Sequence, residues 1–172
     1  MNTKKACCFT GHRPQKLGYG ENSTQCDQLK QTMRDIVVSL IEKEDVTHFI
    51  SGMALGVDTF AAQIVTDLKK EYPWITLECA IPCETQATKW SERDRDLYFR
   101  LIAKCDKETL IQHQYTTDCM QKRNEYMVDN SDFVVSVWNG KPSGTGNTVR
   151  YAENKGKAVI QIDPKTLEVI KS

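Results

Sequence analysis

Hydrophobic positions along this chain keep two rhythms that alternate from one end to the other. Short apolar runs at Lys5–Thr10, Val46–Ile50, Ile75–Ile81, Thr109–Gln112, Asp132–Trp138 and Ala158–Ile162 read as strands, and Thr166–Ile170 reads as a small edge strand. Between them apolar residues recur at three- and four-residue spacing, as in Cys26, Leu29, Met33, Ile36, Val37, Leu40 and Ile41, or Val57, Phe60, Ala61, Ile64, Val65 and Leu68. Such stripes predict helices that lie on a sheet. Three more follow, carrying Trp90, Leu97, Tyr98, Leu101 and Ile102, then Met120, Met127 and Val128, then Val149, Tyr151 and Ala152. Strands that are apolar throughout are covered on both faces, and strict strand–helix alternation favours parallel pairing. The expectation is an α/β fold, a Rossmann-like, open, mostly parallel sheet with helices on both faces. At 172 residues, without repeats or linkers, one domain spanning residues 1–172 is expected.

Sheets of this kind bind ligands outside the carboxyl ends of their strands. Three polar loops fall on that edge: Thr10-Gly11-His12-Arg13, Ser51 to Asp58, and Ser143 to Thr148. The middle one, F-I-S-G-M-A-L-G-V-D-T-F-A-A from Phe49 to Ala62, reads as strand, tight glycine turn and helix. A turn of that form leaves backbone N–H groups unspent at a helix start, where the dipole adds partial positive charge, and its small residues leave room for an anion. Ser51, Gly52, Ala54 and Gly56 are therefore candidate phosphate contacts. The plain alternative is a structural turn whose glycines serve backbone angles only, since the full G-x-G-x-x-G fingerprint is absent. His12 and Arg13, with Lys16 close behind, add ligand donors. Gln86 and Trp90 follow the third strand, Trp90 being equally well placed as core. After Asn139–Gly146 a further helix should begin at Asn147 or Thr148, and the loop holding His113, Tyr115 and Thr117 reads as a lid.

Composition narrows the partners. Lys plus Arg and Asp plus Glu each number 23, so the formal net charge is zero. That balance writes in no general attraction to nucleic acid or to an anionic membrane, and no apolar run approaches the length of a bilayer span. Met1-Asn2-Thr3-Lys4-Lys5 passes straight into the first strand without a secretory apolar segment. The seven cysteines are scattered through core elements, which fits reduced thiols and a cytoplasmic location. Cys79-x-x-x-Cys83 lacks zinc-ribbon spacing and a second pair, so no metal site is expected, and no cofactor is evident.

Taken together, T-G-H-R-P, S-G-M-A-L-G-V-D, P-C-E-T-Q-A-T-K-W, M-Q-K-R-N-E-Y-M-V-D-N-S-D-F-V-V and S-G-T-G-N-T-V-R-Y-A resemble the YpsA-like family of the SLOG superfamily, over Phe9 to about Ile162. That superfamily includes the Lonely Guy phosphoribohydrolases, which release a base from a nucleoside monophosphate, and the DNA-processing protein A family, which binds single-stranded DNA. The resemblance implies binding of a nucleotide or nucleotide-derived ligand, in a sensing or regulatory role, and is compatible with a homodimer.

Carried over by residue, the phosphoribohydrolase helix M-x-x-R-K-x-x-M before S-D matches Met120, Arg123, Met127, Ser131 and Asp132, with Asn124 in place of Lys. Their following G-G-x-G-T-x-x-E motif matches at Gly144-Thr145, but Thr148 stands where the catalytic Glu belongs. Glycosidic cleavage needs an ionised carboxylate to stabilise positive charge on the ribose and orient a water. Three expectations follow. In the first, the amides of Gly52–Gly56 and Gly144–Thr148 hold phosphate, Arg13 and Arg123 add charge, and Asp58 or Asn124 meets ribose or base. In the second, an enzyme of phosphoribohydrolase type uses Arg123 with Asp58 or Glu84 as the replacement carboxylate. In the third, the protein binds single-stranded nucleic acid, against which the neutral charge and the lack of an aromatic-basic stripe argue.

Overall fold

The computed structural model describes residues 4–172; Met1-Asn2-Thr3, expected to lead directly into the first strand, lie outside the described residues. The strands are β1 (Lys5–Gly11), β2 (Val46–Ser51), β3 (Thr76–Ile81), β4 (Lys107–Leu110), β5 (Phe133–Val137), β6 (Ala158–Ile162) and β7 (Val169–Lys171). The helices are α1 (Pro14–Leu17), α2 (Thr24–Glu44), α3 (Val57–Leu68), α4 (Glu92–Lys104), α5 (Cys119–Asp129) and α6 (Gly144–Asn154). One sheet runs in the order β4-β3-β2-β1-β5-β6-β7, parallel except for β7, which is antiparallel to β6. The fold is α/β and Rossmann-like, as the alternation of strand and helix patterns implies.

Alternation of side chains along β1 separates two cores. Cys7 and Phe9 face α2, α3 and α4, packing with Leu29, Met33, Phe49, Val65 and Leu77, and the rings of Phe9 and Phe49 stack at 6.2 Å. Cys8 faces the other way, with Ile50, Ala80 and Val134 beneath Met127 and Val128 of α5 and Val149 and Ala152 of α6. A fully buried Leu, Met or Phe of this kind contributes roughly 1.5–3 kcal/mol by leaving water.

Helix boundaries follow capping side chains, which hydrophobic spacing does not reveal. Ser91 Oγ accepts from Asp94 N, so α4 starts after Trp90 and leaves that residue in the preceding turn. Ser143 Oγ accepts from Gly146 N, and α6 begins at Gly144, earlier than the expected Asn147 or Thr148. The one-turn helix α1 has too few residues to show a period; Pro14 opens it and left-handed Gly18 closes it.

Beneath α5, the buried Glu78 of β3 draws four elements together. Its carboxylate accepts from the Tyr126 hydroxyl of α5 (2.6 Å), Thr109 Oγ1 of β4 (2.8 Å) and His48 Nε2 of β2 (2.7 Å). Burial alone would raise the Glu78 pKa, but these donors and Lys107 outweigh it and hold the group at about 2.

Strand order runs β1 to β4 in one direction and β5 to β6 in the other, so it reverses between β1 and β5. That reversal splays the following connections apart and opens a crevice at the carboxyl ends of those two strands.

Candidate functional site at the strand-order reversal

Gly11 ends β1 where the backbone approaches α3 too closely for a side chain: a Cβ there would stand 2.6 Å from Val57 Cβ. His12 then laces β1 to β5. Its N–H donates to Val137 O (3.2 Å), and its Nε2 accepts from Asn139 N (3.1 Å). An accepting Nε2 places the ring proton on Nδ1. Burial lowers the His12 pKa, with Asn139 opposing and Lys16 adding a little in the same direction, so the ring is neutral at pH 7.

The Ser51–Gly56 turn closes on itself. Ser51 Oγ donates to Asp58 O (2.7 Å) and accepts from Met53 N (3.2 Å), while Ala54 N donates to Asp58 Oδ2 (3.3 Å). Gly52 O accepts from Arg123 Nη1 (2.6 Å) and Gln86 Nε2 (3.3 Å), and the same Arg123 nitrogen donates to Gln86 Oε1 (2.9 Å). The guanidinium lies so tightly on Gly52 that a Cβ there would be 2.7 Å from Arg123 Nε. Gly56, at φ +92°, packs against His12 O. One of the amides expected to hold an anion, that of Ala54, is thus taken by the Asp58 side chain. Burial raises the Asp58 pKa, opposed by Arg123, the Ala54 N–H and Arg13. Burial lowers that of Arg123, opposed by Asp58.

The start of α6 is different. Ser143 satisfies the amides of Gly146 through Oγ (3.1 Å) and Asn147 through its carbonyl (3.0 Å). The N–H groups of Gly144 and Thr145 have no partner among the described residues, as expected of a first helical turn. Thr148 lies one turn further in, buried, with its hydroxyl donating to Gly144 O (3.1 Å).

These pieces bound a hollow of about 260 Å³ lined by Thr10, Gly11, His12, Arg13, Gln15, Lys16, Asp58, Met120, Asn124, Ser143, Gly144 and Thr145. Thr10, His12, Asp58 and Thr145 are only 5%, 3%, 6% and 8% exposed. Among the described residues, neither threonine hydroxyl, nor His12 Nδ1, nor Asp58 Oδ1 has a hydrogen-bond partner, although each of the four residues lines the hollow. The fully buried side-chain atoms left without a partner among the described residues lie elsewhere, at Ser131 Oγ and Ser136 Oγ; the four open atoms at the hollow reach its free space, where a ligand could meet them. Of the residues expected at the site, Ser51, Gly52, Ala54, Gly56, Arg123 and Thr148 do not line this hollow; their polar groups or their space are taken up inside the protein. Gln86 lines a neighbouring hollow instead. Glu84 is exposed and pairs with His113 Nδ1 (2.8 Å), away from both. Ser143, Gln15 and Met120 join the lining without having been expected as ligand contacts. Only Ser143 carried a local signal, its position as a cap before Gly144-Thr145.

A groove of about 370 Å³ also runs between α2, α3 and α4. It lies away from the strand ends, and its charged residues, such as Asp27 and Asp67, are surface groups. Among the described residues no cluster of three His, Cys, Asp or Glu side chains is placed to hold a metal ion, and no helix is long and apolar enough to cross a membrane.

A family model described as the YspA SLOG family matches residues 7–169. The chain belongs to the YspA SLOG family. The SPbeta prophage-derived protein YoqJ of Bacillus subtilis is 34% identical over 138 residues, covering 73% of this chain and 81% of YoqJ. DNA processing protein A (DprA) of Streptococcus pneumoniae superposes with a TM-score of 0.64 at 14% identity, over 93% of this chain and half of that one. The Helicobacter pylori DprA, solved for its single-stranded DNA binding mode, superposes at 0.63 and 17% identity, over 98% of this chain and 69% of that one. At such identities these two likenesses concern the fold.

Within this SLOG chain, the S-D pair that resembles the phosphoribohydrolases serves the opposite end of the sheet. Asp132 Oδ2 accepts from Ala6 N (2.9 Å) at the start of β1. Arg123 of the preceding helix turns inward to Gly52 and leaves its neighbour Asn124 facing the hollow.

Proposed function

We propose that this SLOG protein binds a nucleotide or nucleotide-derived small molecule at the β1/β5 crevice, in a sensing or regulatory role. The observation that carries this reading is the convergence on one hollow, beside two unspent amides, of Thr10, His12, Asp58 and Thr145, residues largely buried as a whole yet each with an unpartnered polar atom. A phosphate group fits the Gly144 and Thr145 N–H groups, where the α6 dipole favours negative charge. Arg13 and Lys16 flank it with charge-assisted donors. Asp58 Oδ1, His12 Nδ1–H and the Asn124 amide supply the mixed acceptors and donors that ribose hydroxyls require. Because Thr148 takes the position of the phosphoribohydrolase carboxylate and is spent on Gly144 O, binding without base release is the favoured reading.

Asp58 is a carboxylate inside the hollow, and this supports a second reading as a glycosidic hydrolase. Isothermal titration of the full chain against nucleoside mono- and diphosphates tests the first, with chromatography for released base testing the second. Arg13→Ala/Lys16→Ala is expected to weaken nucleotide binding at least about tenfold, with thermal unfolding unchanged because both side chains are exposed. Absence of binding, or affinity indifferent to both substitutions, overturns the proposal. Base release abolished by Asp58→Asn would replace binding by catalysis. Tighter binding of a single-stranded oligonucleotide than of any mononucleotide would move the protein toward the role named for its Helicobacter pylori neighbour.

A further inference from the structure

The phosphate-side hollow is small. At about 260 Å³ it falls just under the range of roughly 300–1,000 Å³ typical of ligand sites. A second hollow, of about 590 Å³, opens beside it, and Met120 of α5 lines both. Its character is different. Trp90 and Tyr115 line it together with the Thr85 and Thr88 side chains, and Tyr115 is 62% exposed despite its size. Trp90 is held edge-to-face against Tyr98, with ring centroids 5.3 Å apart. Gln86 is pinned between Gly52 O and Arg123, which fixes one wall of the space.

We infer that these two hollows are one bipartite site, in which the second receives the planar heterocyclic base of the ligand whose phosphate lies at α6. This rests on the proposed nucleotide reading and adds to it where the base sits and which side chains hold it. Met120 is the wall the two hollows share, and its unbranched thioether can move aside for a ligand that spans both, at a smaller rotamer penalty than a branched residue would impose. Aromatic side chains stack on any base through its π-face, and the pinned Gln86 offers no flexible amide to compete for the space. Threonine hydroxyls at the rim donate or accept as the base edge demands. The arrangement requires both halves in one molecule: a phosphate alone leaves the aromatic side empty, and a nucleoside alone leaves the α6 amides unspent.

Calorimetric titration of the full chain with inorganic phosphate, ribose 5-phosphate, AMP, GMP, CMP and UMP tests this, in the wild type and in Tyr115→Ala. Tyr115 is exposed, so its removal leaves folding intact; a second variant, Met120→Ala, addresses the shared wall. At least one mononucleotide is expected to bind about tenfold or more tighter than ribose 5-phosphate, the lower part of the range for stacking on an aromatic side chain. Tyr115→Ala is expected to erase that advantage while leaving ribose 5-phosphate affinity unchanged. Equal affinities for ribose 5-phosphate and all four nucleotides, or a Tyr115→Ala effect equal for both, overturns the base subsite and leaves the phosphate site standing. No measurable binding of any phosphate compound overturns the nucleotide reading and this inference with it. Preference for a single-stranded oligonucleotide over every mononucleotide also overturns it, in favour of a strand-binding groove.

Discussion

Replacing Glu78 by Gln removes one charge from beneath α5 while keeping the shape of the side chain. In the folded protein the carboxylate is buried and titrates at about 2, against an ordinary value of 4.5. At about 1.36 kcal/mol per pH unit, that displacement corresponds to roughly 3 kcal/mol of stability at neutral pH. Because the folded pKa lies below the unfolded one, the contribution is complete well above pH 4.5 and disappears as pH falls through about 2. By pH 3.5 the linkage relation gives a loss of about 1.4 kcal/mol, with more than half still present. Glutamine mimics the protonated acid, so Glu78→Gln should be less stable by roughly 3 kcal/mol at pH 7, and the gap should narrow to roughly 2 kcal/mol at pH 3.5. Urea denaturation of both proteins across that pH range, followed by circular dichroism, measures the gap directly. A difference that stays constant from pH 7 to pH 3.5 would refute the claim that His48, Tyr126 and Thr109 hold an ionised carboxylate. The result bears on function because Tyr126 anchors α5, which presents Met120 and Asn124 to the site.

Three other outcomes follow from single residues. Gly56→Ala forces a side chain onto a backbone at φ +92°, 2.8 Å from His12 O, and should lower unfolding free energy by about 1–3 kcal/mol in urea; an unchanged midpoint would show that the turn yields. Arg123→Ala strips donors from Gly52 O and Gln86 Oε1 and withdraws the cation that restrains Asp58, so the protein should lose about 2–4 kcal/mol. The Asp58 pKa, followed by carboxyl-carbon NMR, should then rise further, and a fall would contradict the assignment. His12 should titrate below 6.5 by imidazole NMR, its neutral form contributing stability at pH 7 that fades as pH drops below that value; a pKa above 6.5 would contradict burial as the dominant influence on the ring.

Several features of the site were legible one stretch at a time. The β1 end with Thr10–Arg13 and the Ser143–Thr148 loop are local motifs, and residues of both line the hollow. The S-G-M-A-L-G-V-D turn was equally legible as strand–turn–helix, yet Ser51 to Gly56 do not line the hollow, and the amides of Met53 and Ala54 are taken by Ser51 Oγ and Asp58 Oδ2. What closes it is Arg123, 71 positions away, together with Asp58, whose short side chain bends back onto Ala54 N. Glu78 sits in a strand that reads as apolar, and its partners come from three other elements, so no periodicity could foretell that it is paired.

The sequence by itself determined the order of the strands and of the five longer helices and roughly where each falls, that the sheet is covered on both faces and mostly parallel, and which family the chain resembles, because side-chain spacing and turn residues act within a few positions of one another. Only the tertiary structure decided which of the three loops faces the hollow. That choice depends on the neighbours strand order assigns to each loop: Arg123 packs onto Gly52 O and the Asp58 side chain bends onto Ala54 N at one turn, whereas the reversal between β1 and β5 leaves the α6 start facing open space.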